Sequence, residues 1–169
     1  MKKTIIEGLK KLELTDVDFI SIPCNSALYF EELEKSIEVP LNIVDETIKH
    51  LPEVPQKATL FSSTSSTYDS EIYQKGIINR GHEFIFENNW QQKLNFLSQC
   101  IKLDKDNIKN VELWNELVED VKSKDIKNII EGCNDLNAVL RKNLNSIDII
   151  DSSRCLAKSV INKYLELIK

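Results

Sequence analysis

Short apolar runs of strand type alternate with stretches of helical period along nearly the whole chain. This alternation constrains the fold more than any other feature. The stretch from Asp16 to Ile22, stopped by Pro23, reads as a strand. So do Leu41-Asn42-Ile43-Val44, Ala58-Thr59-Leu60-Phe61, 82–86, Lys127-Asn128-Ile129-Ile130 and Ile147-Asp148-Ile149-Ile150. Helical spacing fills the intervals. Residues 3–13 put Ile5, Ile6, Leu9 and Leu12 on one face, and 27–38 do the same with Leu28, Phe30, Leu33 and Ile37. Further helices are expected at 46–51, 69–79, 90–102, 107–123, 135–143 and 153–168. Apolar residues at i, i+3, i+4 and i+7 bury one helix face, while a short continuous apolar run is a strand buried on both faces. Strands and helices in alternation make βαβ units around a parallel sheet, so the fold class is α/β. Pro52 and Pro55 bracket a linker, and the polar run Ser62–Thr67 reads as a flexible loop.

Composition narrows the function. A chain of 169 residues is one domain or two small ones. It is 41% hydrophobic and 29% charged, which is ordinary for a globular protein. With a net charge of −5 and no basic run, neither nucleic acid nor an anionic membrane surface is expected as a partner. No apolar stretch approaches the ~20 residues a membrane span needs. The N-terminus lacks the apolar core of a signal peptide, so the expected location is the cytoplasm.

The cysteines stand at 24, 100, 133 and 155, without C-x-x-C spacing and far in sequence from His50 and His82, so no metal site is expected. In a reducing compartment they are free thiols, and a free cysteine is most often a small buried hydrophobe. Cys100 and Cys155, inside helices, take that reading. Cys24 and Cys133 differ: each follows a strand, precedes a helix, and is itself followed by asparagine. Open parallel sheets bind ligands beyond the carboxyl ends of their strands, and a helix N-terminus favours a thiolate. Two thiols facing each other across a cleft suit proton transfer at carbon. One removes a proton, and the other supplies one to the opposite face.

Five segments then resemble one family, in its order. Asp18-Phe19-Ile20-Ser21-Ile22-Pro23-Cys24-Asn25-Ser26-Ala27 is similar to the strand and PCNTA segment of the aspartate/glutamate racemases. Val39–Thr47 resembles the next strand with its IVDET-like end, and Phe61–Thr67 the LLxTxGT loop, with Tyr73-Gln74-Lys75 after it. Ile130–Leu136 resembles LGCTEL, and Ile149-Ile150-Asp151-Ser152-Ser153 the closing FDTT-like segment. The resemblance implies two flavodoxin-like parallel-sheet lobes with helices on both faces and a cleft between them. The lobes would be residues 1–54 and 55–150, with 151–169 a C-terminal helix packing back toward the first lobe. It implies a cofactor-independent racemase of an acidic amino acid, with Cys24 and Cys133 as the acid/base pair. It assigns substrate holding to Asn25, Ser26, Thr64, Thr67 and Asn134, and side-chain binding to Lys102.

The sequence also departs from that pattern. The family's opening strand, GGMGP-like turn, helix and strand have no counterpart here, so an incomplete first lobe is expected. Ser26 replaces Thr, Ser66 replaces Gly, and Asn134-Asp135 replaces Thr-Glu. Two alternatives therefore stay open. One is a catalytically inactive homologue acting as a binding module or as part of a split protein. The other is a hydantoin racemase or maleate isomerase on the same scaffold. An exposed strand edge in a short first lobe invites pairing. The expected partners are thus a small-molecule amino acid and a second copy, or a chain supplying the missing unit.

Overall fold

The computed structural model describes residues 2–15, 17–26, 41–104, 107–139 and 147–169. Among them, four parallel strands form one sheet in the order β2-β1-β3-β4. They are β1 (Lys57–Phe61), β2 (Glu83–Phe84), β3 (Asn128–Glu131) and β4 (Asp148–Asp151). The register pairs Leu60 with Ile130 and Ile130 with Ile150. The helices are α1 (Lys2–Glu13), α2 (Ile43–Ile48), α3 (Ser65–Asp69), α4 (Ile72–Asn79), α5 (Asn88–Leu103), α6 (Ile108–Ser123) and α7 (Ser152–Leu167). A 3₁₀ turn spans Asn134–Ala138. No helix among the described residues is long and apolar enough to cross a membrane.

Both faces of the sheet are covered, as the unbroken apolar strands require. On one face Ala58, Leu60, Ile130 and Ile150 pack with Ile43, Val44 and Ile48 of α2, Tyr73 and Ile77 of α4, and Cys155 and Leu156 of α7. Gly76 permits the contact between α4 and α2, since a Cβ there would stand 2.9 Å from Ile48 Cγ1. On the other face Phe61 and Ile129 meet Trp90, Leu94, Leu97 and Ile101 of α5 and Trp114, Leu117, Val118 and Val121 of α6. Phe61 takes both indoles edge-on, at 5.9 Å from Trp90 and 5.6 Å from Trp114. That geometry adds about 0.5–1.5 kcal/mol per pair beyond area burial.

The N-terminal stretch differs most from its sequence pattern. Among the described residues, which leave out Asp16 and 27–40, the expected strand 16–22 makes one parallel bridge, Ser21 to Leu41. Ile20 and Ile22 pack instead under Leu9 of α1. The expected strand 41–44 becomes a helix start: Asn42 accepts the Val44 N–H at 2.8 Å, and Asp45 and Glu46 occupy the first turn. An asparagine N-cap with acids behind it outweighs the β-propensity of Ile43-Val44. The helix expected at 46–51 therefore runs from 43 to 48. The helix expected at 69–79 is split, because Glu71 adopts the left-handed conformation at φ 57° between α3 and α4. The strand expected at 82–86 has two residues in the ladder, and the start of 135–143 is a 3₁₀ turn. The helix expected at 27–38 and the end of 135–143 lie outside the described residues.

Candidate active site

In the order β2-β1-β3-β4, the chain turns one way from β1 and the other way from β3. The crevice between their carboxyl ends is the switch point where such sheets take ligands. Cys133 stands there. Beyond β3, the Gly132 N–H still donates to Phe61 O at 2.9 Å and extends the ladder by one bond. A Cβ at Gly132 would lie 2.9 Å from Leu60 Cδ1, so any side chain there would have to displace the Leu60 methyl on β1. Cys133 follows, half-buried, with its N–H donating to Glu131 Oε1 at 2.8 Å and its carbonyl accepting from Leu136 N–H at 3.1 Å. Its thiol is bonded across the crevice to the Ser63 hydroxyl, Sγ to Oγ 2.6 Å.

The polar run after β1 is pinned rather than loose. Thr64 and Thr67 hydroxyls bond at 2.8 Å, and Ser62 Oγ reaches Thr64 Oγ1 at 3.3 Å. Gln91 of α5 donates to Ser62 O at 2.9 Å. Thr67 is buried at the start of α3, while Thr64 is exposed at the rim. Lys102, near the end of α5, bonds Asp135 at 2.9 Å, and Asp135 also accepts from Ser98 Oγ at 2.9 Å. Burial opposes ionisation of Asp135, but the bonds from Lys102 and Ser98 outweigh it and hold its pKa low. The Cys133 thiol lies beside this pair.

Cys24 is exposed, with Sγ 3.4 Å from Ser26 Oγ. The next residue holds its segment. Asn25 is buried, donates to Ser152 Oγ at 3.1 Å and accepts from the hydroxyl of Tyr73. Tyr73 is fully enclosed, and burial raises its pKa far above the usual phenol value. Asn134, after Cys133, accepts from Ser153 Oγ at 2.6 Å. The two Cys-Asn pairs are thus fastened to consecutive residues at the start of α7. Asp151 caps that helix by accepting the Arg154 N–H at 3.0 Å.

Cys100 is on α5, and Cys155 is buried in the core of α7, where burial pushes its thiol up to about 11. Among the described residues no group of three or more His, Cys, Asp or Glu is placed to hold a metal ion. Sequence reasoning did not find Ser63, Glu131, Tyr73 or the roles of Ser152 and Ser153. Their partners lie far along the chain, and the one available signal was the repeated Cys-Asn pair itself.

The profile of the Asp/Glu/hydantoin racemase family matches residues 2–160. The chain belongs to that family. It is an isomerase of the racemase class, as the order of the motifs led one to expect. It is 46% identical over 167 residues to the broad specificity amino-acid racemase RacX of Bacillus subtilis strain 168, covering 98% of this chain and 73% of that protein. An aspartate racemase homologue of Pyrococcus horikoshii OT3 superposes with a TM-score of 0.75 at 25% identity, over 95% of this chain and 73% of the other. Glutamate racemase RacE1 of Bacillus anthracis has a TM-score of 0.70 at 13% identity, over 98% of this chain and 64% of the other, and shares the fold. The α/β architecture with helices on both faces of a parallel sheet is thus the racemase architecture.

Proposed function

We propose that this protein racemises amino acids through Cys24 and Cys133, without a cofactor. The supporting observation is the attachment of both Cys-Asn pairs to Ser152 and Ser153, which brings two separate thiol-bearing segments to one helix start. One thiolate takes the α-proton and the opposite thiol returns a proton to the other face; reversing the roles reverses the reaction. The Ser63 hydroxyl bonds the Cys133 sulfur and steadies it in both states. Each such acid/base group is worth about 10²–10⁴-fold in rate. Ser26 and Thr64 offer hydroxyls to the substrate's ammonium and carboxylate. Thr67 supports Thr64, and Asn25 and Asn134 hold the two thiol segments in place.

The substrate class we propose is an acidic amino acid, aspartate or glutamate, with its side-chain carboxylate met by Lys102. One observation favours a wider range: the Lys102 ammonium is already paired with Asp135, so an acidic side chain has to compete for it. Neutral side chains face no such competition, and the Bacillus subtilis relative carries a broad-specificity name. We further propose a cytoplasmic protein, with the substrate cleft between residues 1–54 and the sheet of 55–150. The C-terminal helix 151–169 packs back toward residues 1–54, and assembly is as a homodimer.

The test is α-deuterium incorporation in D₂O from each enantiomer of a full amino-acid panel. Exchange with aspartate or glutamate alone supports the acidic class, and exchange across neutral side chains supports the wider one. If no amino acid exchanges, the protein is an inactive homologue serving as a binding module or as part of a split protein.

A further inference from the structure

We propose that Glu131 is a positioning residue for Cys133: its carboxyl holds the Cys133 amide and, through it, the bend that turns the thiol to Ser63. The inference deepens the racemase reading and rests on it. β3 ends at Glu131, and the Gly132 N–H makes the last ladder bond. The next amide, that of Cys133, has left the sheet, and Glu131 Oε1 accepts it at 2.8 Å. The Cys133 carbonyl is taken by Leu136 and the thiol by Ser63, so the carboxyl completes a three-point hold on this residue.

The site does not need a carboxylic acid for packing. Glu131 is wholly enclosed in the last position of a strand whose other residues include Ile129 and Ile130. Its second oxygen, Oε2, is buried without a hydrogen-bond partner. An apolar residue would fill the space without burying polar atoms, but would leave the Cys133 N–H orphaned. Burial, helped by the charges of Asp151 on β4 and Asp135 in the 3₁₀ turn, raises the carboxyl's pKa well above the usual carboxylate range, against the lowering bond from the Cys133 N–H. In the neutral form that burial favours, Oε1 is a carbonyl-type acceptor and Oε2 carries the proton. A glutamine reproduces that arrangement, with NH₂ in place of OH.

The experiment compares wild type with Glu131→Gln, Glu131→Leu and Glu131→Met, after near-ultraviolet circular dichroism has established that each is folded. The apolar variants are expected to lower kcat for α-deuterium exchange on the order of 10²-fold, the scale of a misplaced reacting group, with KM little changed. Glutamine is expected to restore kcat to within about 3-fold of wild type, because acceptor and neutrality are both kept. Hydrogen exchange at the Cys133 amide should quicken at least ~10-fold in the apolar variants and stay slow with glutamine. Unchanged kcat in a folded apolar variant overturns the proposal. So does a glutamine variant as impaired as the leucine one, which would assign Glu131 a proton-transferring role. Loss of the fold in both apolar variants overturns it as well, assigning Glu131 to the fold alone. If wild type exchanges no amino acid, the racemase reading fails, and the Cys133 amide still decides whether the hold exists.

Discussion

Asn25→Ala removes the buried tie between the Cys24 segment and α7. In the native protein the Asn25 amide satisfies two enclosed hydroxyls, donating to Ser152 and accepting from Tyr73, both at 0% exposure. Truncation orphans part of each. A buried polar group without its partner costs about 1–3 kcal/mol. The Tyr73 hydroxyl keeps Thr47 and Ser152 within reach, so the lower end of the range applies to it. The sum is about 2 kcal/mol, which for a chain of 169 residues lowers the melting temperature by about 4–8 °C. The double variant Asn25→Ala, Tyr73→Phe removes both ends of the tie. It should recover about 1 kcal/mol relative to the sum of the single changes, because the Tyr73 hydroxyl is then no longer left without Asn25. Urea unfolding followed by circular dichroism on the four proteins of the cycle measures this. A single-variant loss under about 0.5 kcal/mol, the usual size for a surface change, would refute the argument. So would strict additivity in the double variant.

Four further outcomes are expected. Cys24→Ser and Cys133→Ser should each lower racemisation by about 10²–10⁴-fold while leaving slow deuterium exchange from one enantiomer, a different one for each variant; a variant retaining most of the wild-type rate removes its thiol from the pair. The Glu131 contribution to stability should fall as pH rises above about 4.3, because the unfolded Glu131 ionises there while the native one has its pKa raised by burial. The slope can reach ~1.4 kcal/mol per pH unit, and Glu131→Gln should remove it; a variant with the wild-type slope contradicts a neutral native carboxyl. Asp135, whose native pKa is depressed, acts oppositely: its contribution is present above about 3.9 and is lost as pH falls below that value. Lys102→Met should lower kcat/KM for aspartate and glutamate relative to alanine, and an unchanged ratio takes the side-chain role away from Lys102.

The second half of the chain was legible because its signals are local and agree. The runs at 58–61, 128–130 and 147–150 are apolar enough for burial on both faces. α5 and α6 carry their tryptophans and leucines at helical spacing. Cys133 was legible for the same reason, as a residue just past a strand. The first half was less so. Ile43-Val44 reads as β by side-chain type, and the capping asparagine that makes it helical acts through one hydrogen bond. Glu71 carries no glycine-like mark of its left-handed conformation. Within the site, the cysteines and the Thr64–Thr67 pair lie inside recognisable segments. By contrast, Tyr73 reaches Asn25, and Ser63 reaches Cys133, across distances in sequence that no periodicity encodes.

Ser152 and Ser153 set the spacing of the two Cys-Asn pairs as a jig would. Neighbouring Cα atoms are 3.8 Å apart and point about 100° from each other around a helix axis. The offset between the two tethers is therefore covalent at Ser152 and Ser153, while Tyr73 and Ser63 hold the Asn25 and Cys133 segments from the other side. One extra residue between Ser152 and Ser153 would rotate one tether away from the other by a further helical step, and no adjustment elsewhere in the chain would restore the match.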